Sequence, residues 1–179
     1  MQPIRVLVAD DHAMLRTAVR ALLETEAELE VAGEAASGEE AVEKALALRP
    51  DVVVMDLSMH GCGGLAATRT ISASTGSRVL VLTMHAEEDG LLAALHAGAS
   101  GYLAKSVAPD ELLRAIRQVA RGEVALSPSG ARALVRAVTP GRLPAGAGAR
   151  DGRAPAPDRL TPTWARRPPV RRARPGAGG

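Results

Sequence analysis

Ile4-Arg5-Val6-Leu7-Val8-Ala9-Asp10-Asp11 and Val52-Val53-Val54-Met55-Asp56 are short apolar runs that each end on carboxylates. Apolar runs of this length without alternation suit strands buried on both faces, as in a parallel sheet covered by helices. Working outward, residues 31–35, 79–82 and 101–104 supply three more such runs. Segments of helical period lie between them. Leu15, Ala18, Val19, Leu22 and Leu23 recur on one helical face, as do Val42, Ala45 and Leu46, then Leu91, Leu92 and Leu95, then Leu112, Ile116, Val119 and Ala120. Residues 65–71 supply the remaining helix with a weaker pattern. Pro109-Asp110-Glu111 is a strong helix start and Gly122 a stop. The alternation predicts an α/β fold, a doubly wound five-stranded parallel sheet in the order 2-1-3-4-5.

The net charge of +2 conceals an asymmetry. Residues 1–125 carry 11 Lys and Arg against 18 Asp and Glu, whereas residues 126–179 carry 11 Arg against Asp151 and Asp158. An acidic folded domain with a basic appendage is the implied organisation. Residues 126–138 read as a linker helix through Leu134, Val135 and Val138. Residues 139–179 hold 8 Pro and 7 Gly and read as a disordered tail. No run approaches the ~18 apolar residues of a membrane span, and the N-terminus lacks the pattern of a secretory signal. A cytoplasmic protein without a membrane anchor is expected. Cys62 is the sole cysteine, which excludes an intrachain disulfide and a cysteine-based metal site.

In open α/β sheets the functional site lies at the carboxyl ends of the strands. Asp10 and Asp11 follow the first strand and Asp56 the third, its neighbour in the expected order. Clustered carboxylates repel one another unless a cation sits among them, and an all-oxygen set suits Mg²⁺. Thr83 and Lys105, at the ends of the fourth and fifth strands, add a hydroxyl and an ammonium. Those groups suit the oxygens of a phosphoryl group, with a carboxylate as nucleophile.

Four stretches in order and spacing carry a resemblance. They are Val6-Leu7-Val8-Ala9-Asp10-Asp11-His12, Arg49-Pro50-Asp51-Val52-Val53-Val54-Met55-Asp56, Val79-Leu80-Val81-Leu82-Thr83-Met84-His85 and Ala97-Gly98-Ala99-Ser100-Gly101-Tyr102-Leu103-Ala104-Lys105. The chain resembles, over residues 3–138, the receiver domain of two-component response regulators of the NarL/FixJ subfamily. The resemblance implies a flavodoxin-like receiver over residues 1–125, a phosphoprotein of a phosphorelay rather than an enzyme, although a receiver promotes its own phosphorylation and dephosphorylation. It implies Asp56 as phosphoacceptor from a sensor histidine kinase, and Mg²⁺ bound by Asp11, Asp56, the Ser58 carbonyl and, through water, Asp10. Thr83 and Lys105 would contact the phosphoryl group, and Thr83 with Tyr102 would form the switch. A homodimer through the receiver is a further implied partner. Where relatives read Met-Pro-Gly-Met-Asp-Gly, this chain has Met59-His60-Gly61-Cys62-Gly63-Gly64. The lost proline and gained glycine predict a looser loop.

Other readings compete for single residues. Asp10 and Asp11 alone suit turn or cap positions, and Tyr102 equally suits a half-buried strand aromatic. His12, His60, His85 and His96 show no helical metal-ligand spacing and read as surface or loop residues. Cys62 reads as inert, and residues 61–64 as a turn without phosphate-loop spacing. An aspartate-nucleophile phosphatase would place Asp-x-Asp after a strand, but here the acids are adjacent and Leu57-Ser58 follows Asp56.

Leu160-Thr161-Pro162 resembles the opening of the subfamily's helix-turn-helix, yet 14 of the 17 residues after it are Ala, Arg, Gly or Pro. The expectation is therefore that a frameshift or truncation has replaced the DNA-binding domain. The alternative is a transcription regulator or nucleic-acid binder acting through Trp164, Arg166-Arg167 and Arg171-Arg172-Ala173-Arg174. Nine arginines over residues 139–179 attract polyanions by counterion release but place no element in a groove. The 179-residue chain should accordingly bind unrelated duplexes with similar strength, weakening steeply from about 50 to 200 mM salt. A salt-tolerant preference for one operator in a gel-shift competition would contradict this.

Overall fold

The computed structural model describes residues 2–84 and 88–138. The expected tail over residues 139–179 and His85 lie outside the described residues. In chain order the elements are β1 (Ile4–Ala9), α1 (Ala13–Leu23), β2 (Leu29–Ala35), α2 (Gly38–Leu48), β3 (Val52–Met55) and α3 (Gly63–Ser74). These are followed by β4 (Arg78–Thr83), α4 (Glu88–His96), β5 (Gly101–Ala104), α5 (Pro109–Ala120), β6 (Ala125–Leu126) and α6 (Pro128–Val138). All strand pairs are parallel, in the order β2-β1-β3-β4-β5-β6.

The expected order of the first five strands stands, with one addition. A sixth strand pairs Gly101 with Ala125 and Tyr102 with Leu126. Two residues are too few for periodicity to register, and this strand exists because β5 offers it an open edge. It straddles the boundary drawn after Ala125. β2 also starts two residues earlier than its apolar run, at Leu29, because pairing with β1 rather than composition sets its end. The weakly patterned third helix extends from Gly63 to Ser74. Among the described residues, no helix is long and apolar enough to cross a membrane.

The strands' period of two divides the core into two layers. Leu7, Ala9, Val53, Met55, Val79, Val81 and Tyr102 face Ala41 and Ala45 of α2, Ala67 and Ile71 of α3 and Leu91 and Ala94 of α4. Val6, Val8, Val52, Val54, Leu80, Leu82 and Leu103 face Val19 and Leu23 of α1 and Leu112, Leu113, Ile116 and Val119 of α5. β1, β3 and β4 are covered on both sides, which is why their sequences are apolar at consecutive positions. Burying each of their valines and leucines contributes about 1.5–3 kcal/mol relative to exposure.

Local signals start and stop the helices. Ser37 caps α2 by accepting from Glu40 N at 3.2 Å, while the Glu40 carboxylate accepts from Ala36 N at 2.6 Å, a reciprocal arrangement close to a capping box. Arg49, at φ 50°, closes α2 in the left-handed conformation. Pro109 opens α5, and Gly122, at φ 87°, follows its end.

Gly64 sets the approach of α3 to the carboxyl end of β3. A Cβ there would stand 1.8 Å from the Asp56 carbonyl oxygen. That oxygen belongs to backbone and cannot rotate away, so Gly64→Ala must push the start of α3 off the sheet. The variant should lose about 1–3 kcal/mol of stability or more, read as a lower urea midpoint at unchanged m-value.

Candidate functional site

Strand pairing gathers the acids. Ala9 pairs with Met55, and Asp56 N donates to Ala9 O at 2.8 Å, so Asp10 and Asp56 leave neighbouring strands side by side. β1 lies between β2 and β3, so the chain's connections diverge to opposite sides here, the switch point at which α/β sheets open a crevice. Across β4, Thr83 pairs with Ala104, and Lys105 N donates to Thr83 O at 2.8 Å. This turns the Lys105 side chain back over the edge of the sheet.

Lys105 Nζ lies 2.6 Å from Asp10 Oδ2 and 2.8 Å from Asp56 Oδ2. Asp10 and Asp56 are buried, and the Lys105 side chain is only 5% exposed. Burial alone would push the ammonium pKa down, but hydrogen bonds and charge from Asp10 and Asp56 outweigh it and hold the value above normal. The remaining oxygens are also engaged. Asp56 Oδ1 accepts from Ser58 N at 3.3 Å, and Asp10 Oδ1 accepts from His12 N at 2.8 Å. Arg16 donates to the Asp10 carbonyl at 2.6 Å.

Asp11 is held differently. His60 Nδ1 lies 2.9 Å from its Oδ2, and His12 Nδ1 lies 2.8 Å from its Oδ1. Burial raises the Asp11 pKa, but the His12 charge and the hydrogen bond and charge of His60 bring the net direction down. Both histidines are surface residues, as expected from the sequence, yet both rings turn onto Asp11. The available signal was the adjacency of His12 to the acid pair. His60 reaches Asp11 from 49 positions away, which no local spacing reveals.

Ligand atoms of Asp10, Asp11, His12 and Asp56 all lie within 4.8 Å of one another. Asp11 Oδ1 is shielded from solvent and makes no hydrogen bond. A divalent cation suits this donor set, because three carboxylates converge here and the Lys105 ammonium contacts only Asp10 and Asp56.

Thr83 is buried at the end of β4. Tyr102 is 2% exposed, which excludes the half-buried alternative. Its ring joins the layer under α3 and α4, and a Cβ on Gly90 would come within 2.7 Å of its hydroxyl. Glu88, Leu91, Gly130 and Ala133 surround the same position, so α4 and α6 both border Tyr102. Arg136 of α6 lies 3.0 Å from Glu88 of α4.

The loop after Asp56 is tied rather than loose. Glu39 Oε1 accepts from Cys62 N at 2.6 Å, and a Cβ on Gly61, at φ 80°, would overlap the Glu39 carboxylate. His60 is held by Asp11 at the other end of the loop. The missing proline predicted looseness because α2, which supplies Glu39, is distant in sequence. Burial and the Glu39 charge raise the Cys62 thiol pKa, consistent with an inert cysteine.

A doubly wound sheet with acids at its switch point and a lysine bridging two of them defines a receiver-type acidic pocket. Residues 6–117 match the family model described as the response regulator receiver domain, and the chain belongs to that family. It is 46% identical over 121 residues to the response regulator UvrY of Escherichia coli O6:H1, covering 67% of this chain and 56% of that protein. It is 39% identical over 127 residues to the nitrate/nitrite response regulator protein NarL of Escherichia coli K12, covering 70% of this chain and 59% of that protein. The chain thus spans little more than half the length of these relatives. A crystal structure of a LuxR-family two-component response regulator from Aurantimonas sp. SI85-9A1 superposes with a TM-score of 0.71 at 39% identity, covering 76% of this chain and 98% of that one.

Glu39 links the loop to pH. Its own backbone N–H and that of Cys62 hold its carboxyl below the ordinary value. Such a group adds stability that is present above the unfolded-state pKa and is lost as pH falls through the lower folded value. Glu39→Gln should therefore flatten part of the stability loss between about pH 5 and 3, measured by urea titration at each pH. An unchanged acid limb would show that the tether contributes nothing.

Proposed function

We propose that this receiver accepts a phosphoryl group on Asp56 from a phosphohistidine of a sensor histidine kinase and changes conformation in response. An Asp56 carboxylate oxygen attacks phosphorus, the P–N bond breaks, and its electron pair leaves with the imidazole nitrogen of the donor. The product is an acyl phosphate on Asp56. The observation that carries this reading is the Lys105 ammonium at 2.8 Å from Asp56 and 2.6 Å from Asp10, a cation already placed where phosphoryl oxygens would arrive.

In this reading Asp11, Asp56 and the Ser58 carbonyl hold Mg²⁺, with Asp10 acting through water. When bound, Mg²⁺ neutralises charge on the phosphoryl oxygens. Lys105 exchanges part of its contact with Asp56 for a phosphoryl oxygen, and the Thr83 hydroxyl takes another. Displacement of Thr83 toward the site alters the packing around buried Tyr102, whose neighbours α4 and α6 transmit the change. The family relationship to UvrY and NarL supports a role in transcription regulation, with residues 1–125 as receiver, residues 126–138 as linker and the receiver as the homodimer contact. The chain acts as a phosphorylated signalling protein in the cytoplasm rather than as an enzyme with its own substrate.

Incubation with acetyl phosphate or a phosphorylated histidine kinase should label the parent protein only when Mg²⁺ is present, and Asp56→Asn should abolish labelling. The phosphorylated protein should also show altered amide exchange along β4, β5 and α6. Undiminished labelling of Asp56→Asn would refute the acceptor, and an unchanged exchange profile would refute the switch.

A further inference from the structure

We propose that α6 is a lid over Tyr102, closed against α4, and that this contact holds the tyrosine in its buried position before any phosphoryl group is present. The proposal deepens the switch reading above by naming the element that biases the tyrosine.

α6 carries its own start signals. Ser127 Oγ accepts from Gly130 N at 3.1 Å, the bond of a helix N-cap, and Pro128 follows at the first helical position. The helix presents two unlike faces. Ala133 is 5% exposed and joins the core layer that holds Leu91 and Ala94 of α4 together with Tyr102, whereas Val135 is 61% exposed. The buried face is therefore the one turned to α4. Gly130 allows a close approach, since a Cβ there would already stand 3.8 Å from Leu91 Cδ2 and 3.3 Å from Ser127 Oγ. At the far end of the helix, Arg136 meets Glu88 at 3.0 Å.

Tyr102 lies beneath this contact. It pairs with Leu126 of β6, the strand from which α6 departs, and its hydroxyl faces Gly90 of α4. A crevice of about 180 Å³ is bordered by Tyr102, Leu91, Gly130 and Ala133. The burial of the ring thus depends on α6 as well as on α4. The same crevice gives the hydroxyl room for a second position when the two helices part.

The parts of the closure differ in weight. The ion pair is exposed on both partners, at 60% and 43%, so it changes the ratio of closed to open lid by only about two- to fivefold. Ala133 is the stronger element, because a charge placed there must either leave water or break the contact. A helix of 11 residues is marginal in water by itself. Opening the lid therefore frays α6, and its amides report the state of the contact.

Tyr102 is the sole tyrosine of the chain, so 3-fluorotyrosine incorporated into the full 179-residue protein gives one fluorine NMR resonance. Ala133→Glu keeps a good helix former at the position while placing a charge at the contact. It should move the resonance toward that of free fluorotyrosine, enlarge its shift between H₂O and D₂O, and speed amide exchange over residues 131–138 at least about tenfold. Arg136→Glu should act in the same direction by about two- to fivefold, and adding Glu88→Arg should reverse it. Gly90→Ala should displace the resonance from the opposite side, because its Cβ would stand 2.7 Å from the hydroxyl. Rapid α6 exchange in Ala133→Glu with an unchanged resonance would overturn the proposal, as would no change in either. If Ala133→Glu loses protection throughout β1 to β5 it has unfolded, and an unchanged resonance in Arg136→Glu then overturns the lid. Neither Mg²⁺ nor a phosphodonor enters these measurements, so failure of the lid and failure of Asp56 as acceptor are separate results.

Discussion

Two buried carboxylates on adjacent strands repel one another in a low-dielectric setting, and the Lys105 ammonium, 2.6 Å from Asp10 and 2.8 Å from Asp56, offsets that repulsion. The lysine comes from beyond β5, two strands away from Asp56, so its position depends on β4 and β5 being in register at Thr83 and Ala104. A slip of one residue would turn Lys105 to the opposite face and leave the acids uncompensated. Sheet register and site electrostatics are thus one constraint. A buried ion pair of this kind adds little net stability, but removing one partner is costly. The acidic edge is therefore specific to this register.

The same register places Tyr102 one layer beneath the site. Lys105 and Tyr102 sit on opposite faces of the chain leaving β5, so the strand that supplies the cation also supplies an aromatic side chain among α3, α4 and α6. Because Gly90 has no Cβ, the tyrosine hydroxyl fits against α4. The added strand β6 turns the chain so that α6 returns over α4, where Ala133 is buried and Arg136 meets Glu88. The carboxyl edge and that helix are thus joined by a short series of packed groups.

The loop after Asp56 shows how contacts distant in sequence offset an unfavourable composition. Glycine at 61, 63 and 64 raises the entropy lost on ordering, yet Glu39 and Asp11 hold the loop at Cys62 and His60. Gly64 is also needed for the close approach to the Asp56 carbonyl. The histidine that stands in place of the usual proline is consequently a contact of the acidic pocket.

Much of this was legible in the sequence, for definite reasons. Apolar runs at 4–9, 52–55 and 101–104 have the period of strands, and helical stripes between them leave parallel pairing as the connection that fits. Because functional groups in such sheets lie at strand ends, reading along the chain selected Asp10, Asp11, Asp56, Thr83 and Lys105 and placed them at one edge. What periodicity could not supply was any contact between residues far apart whose partners are set by pairing and by helix packing. The sixth strand, the two histidines on Asp11, the Glu39 tether and the full burial of Tyr102 are all of this kind. Local sequence determined which groups reach the carboxyl edge, and only the tertiary structure decided which of them touch, because contact between them depends on register and approach that no single segment encodes.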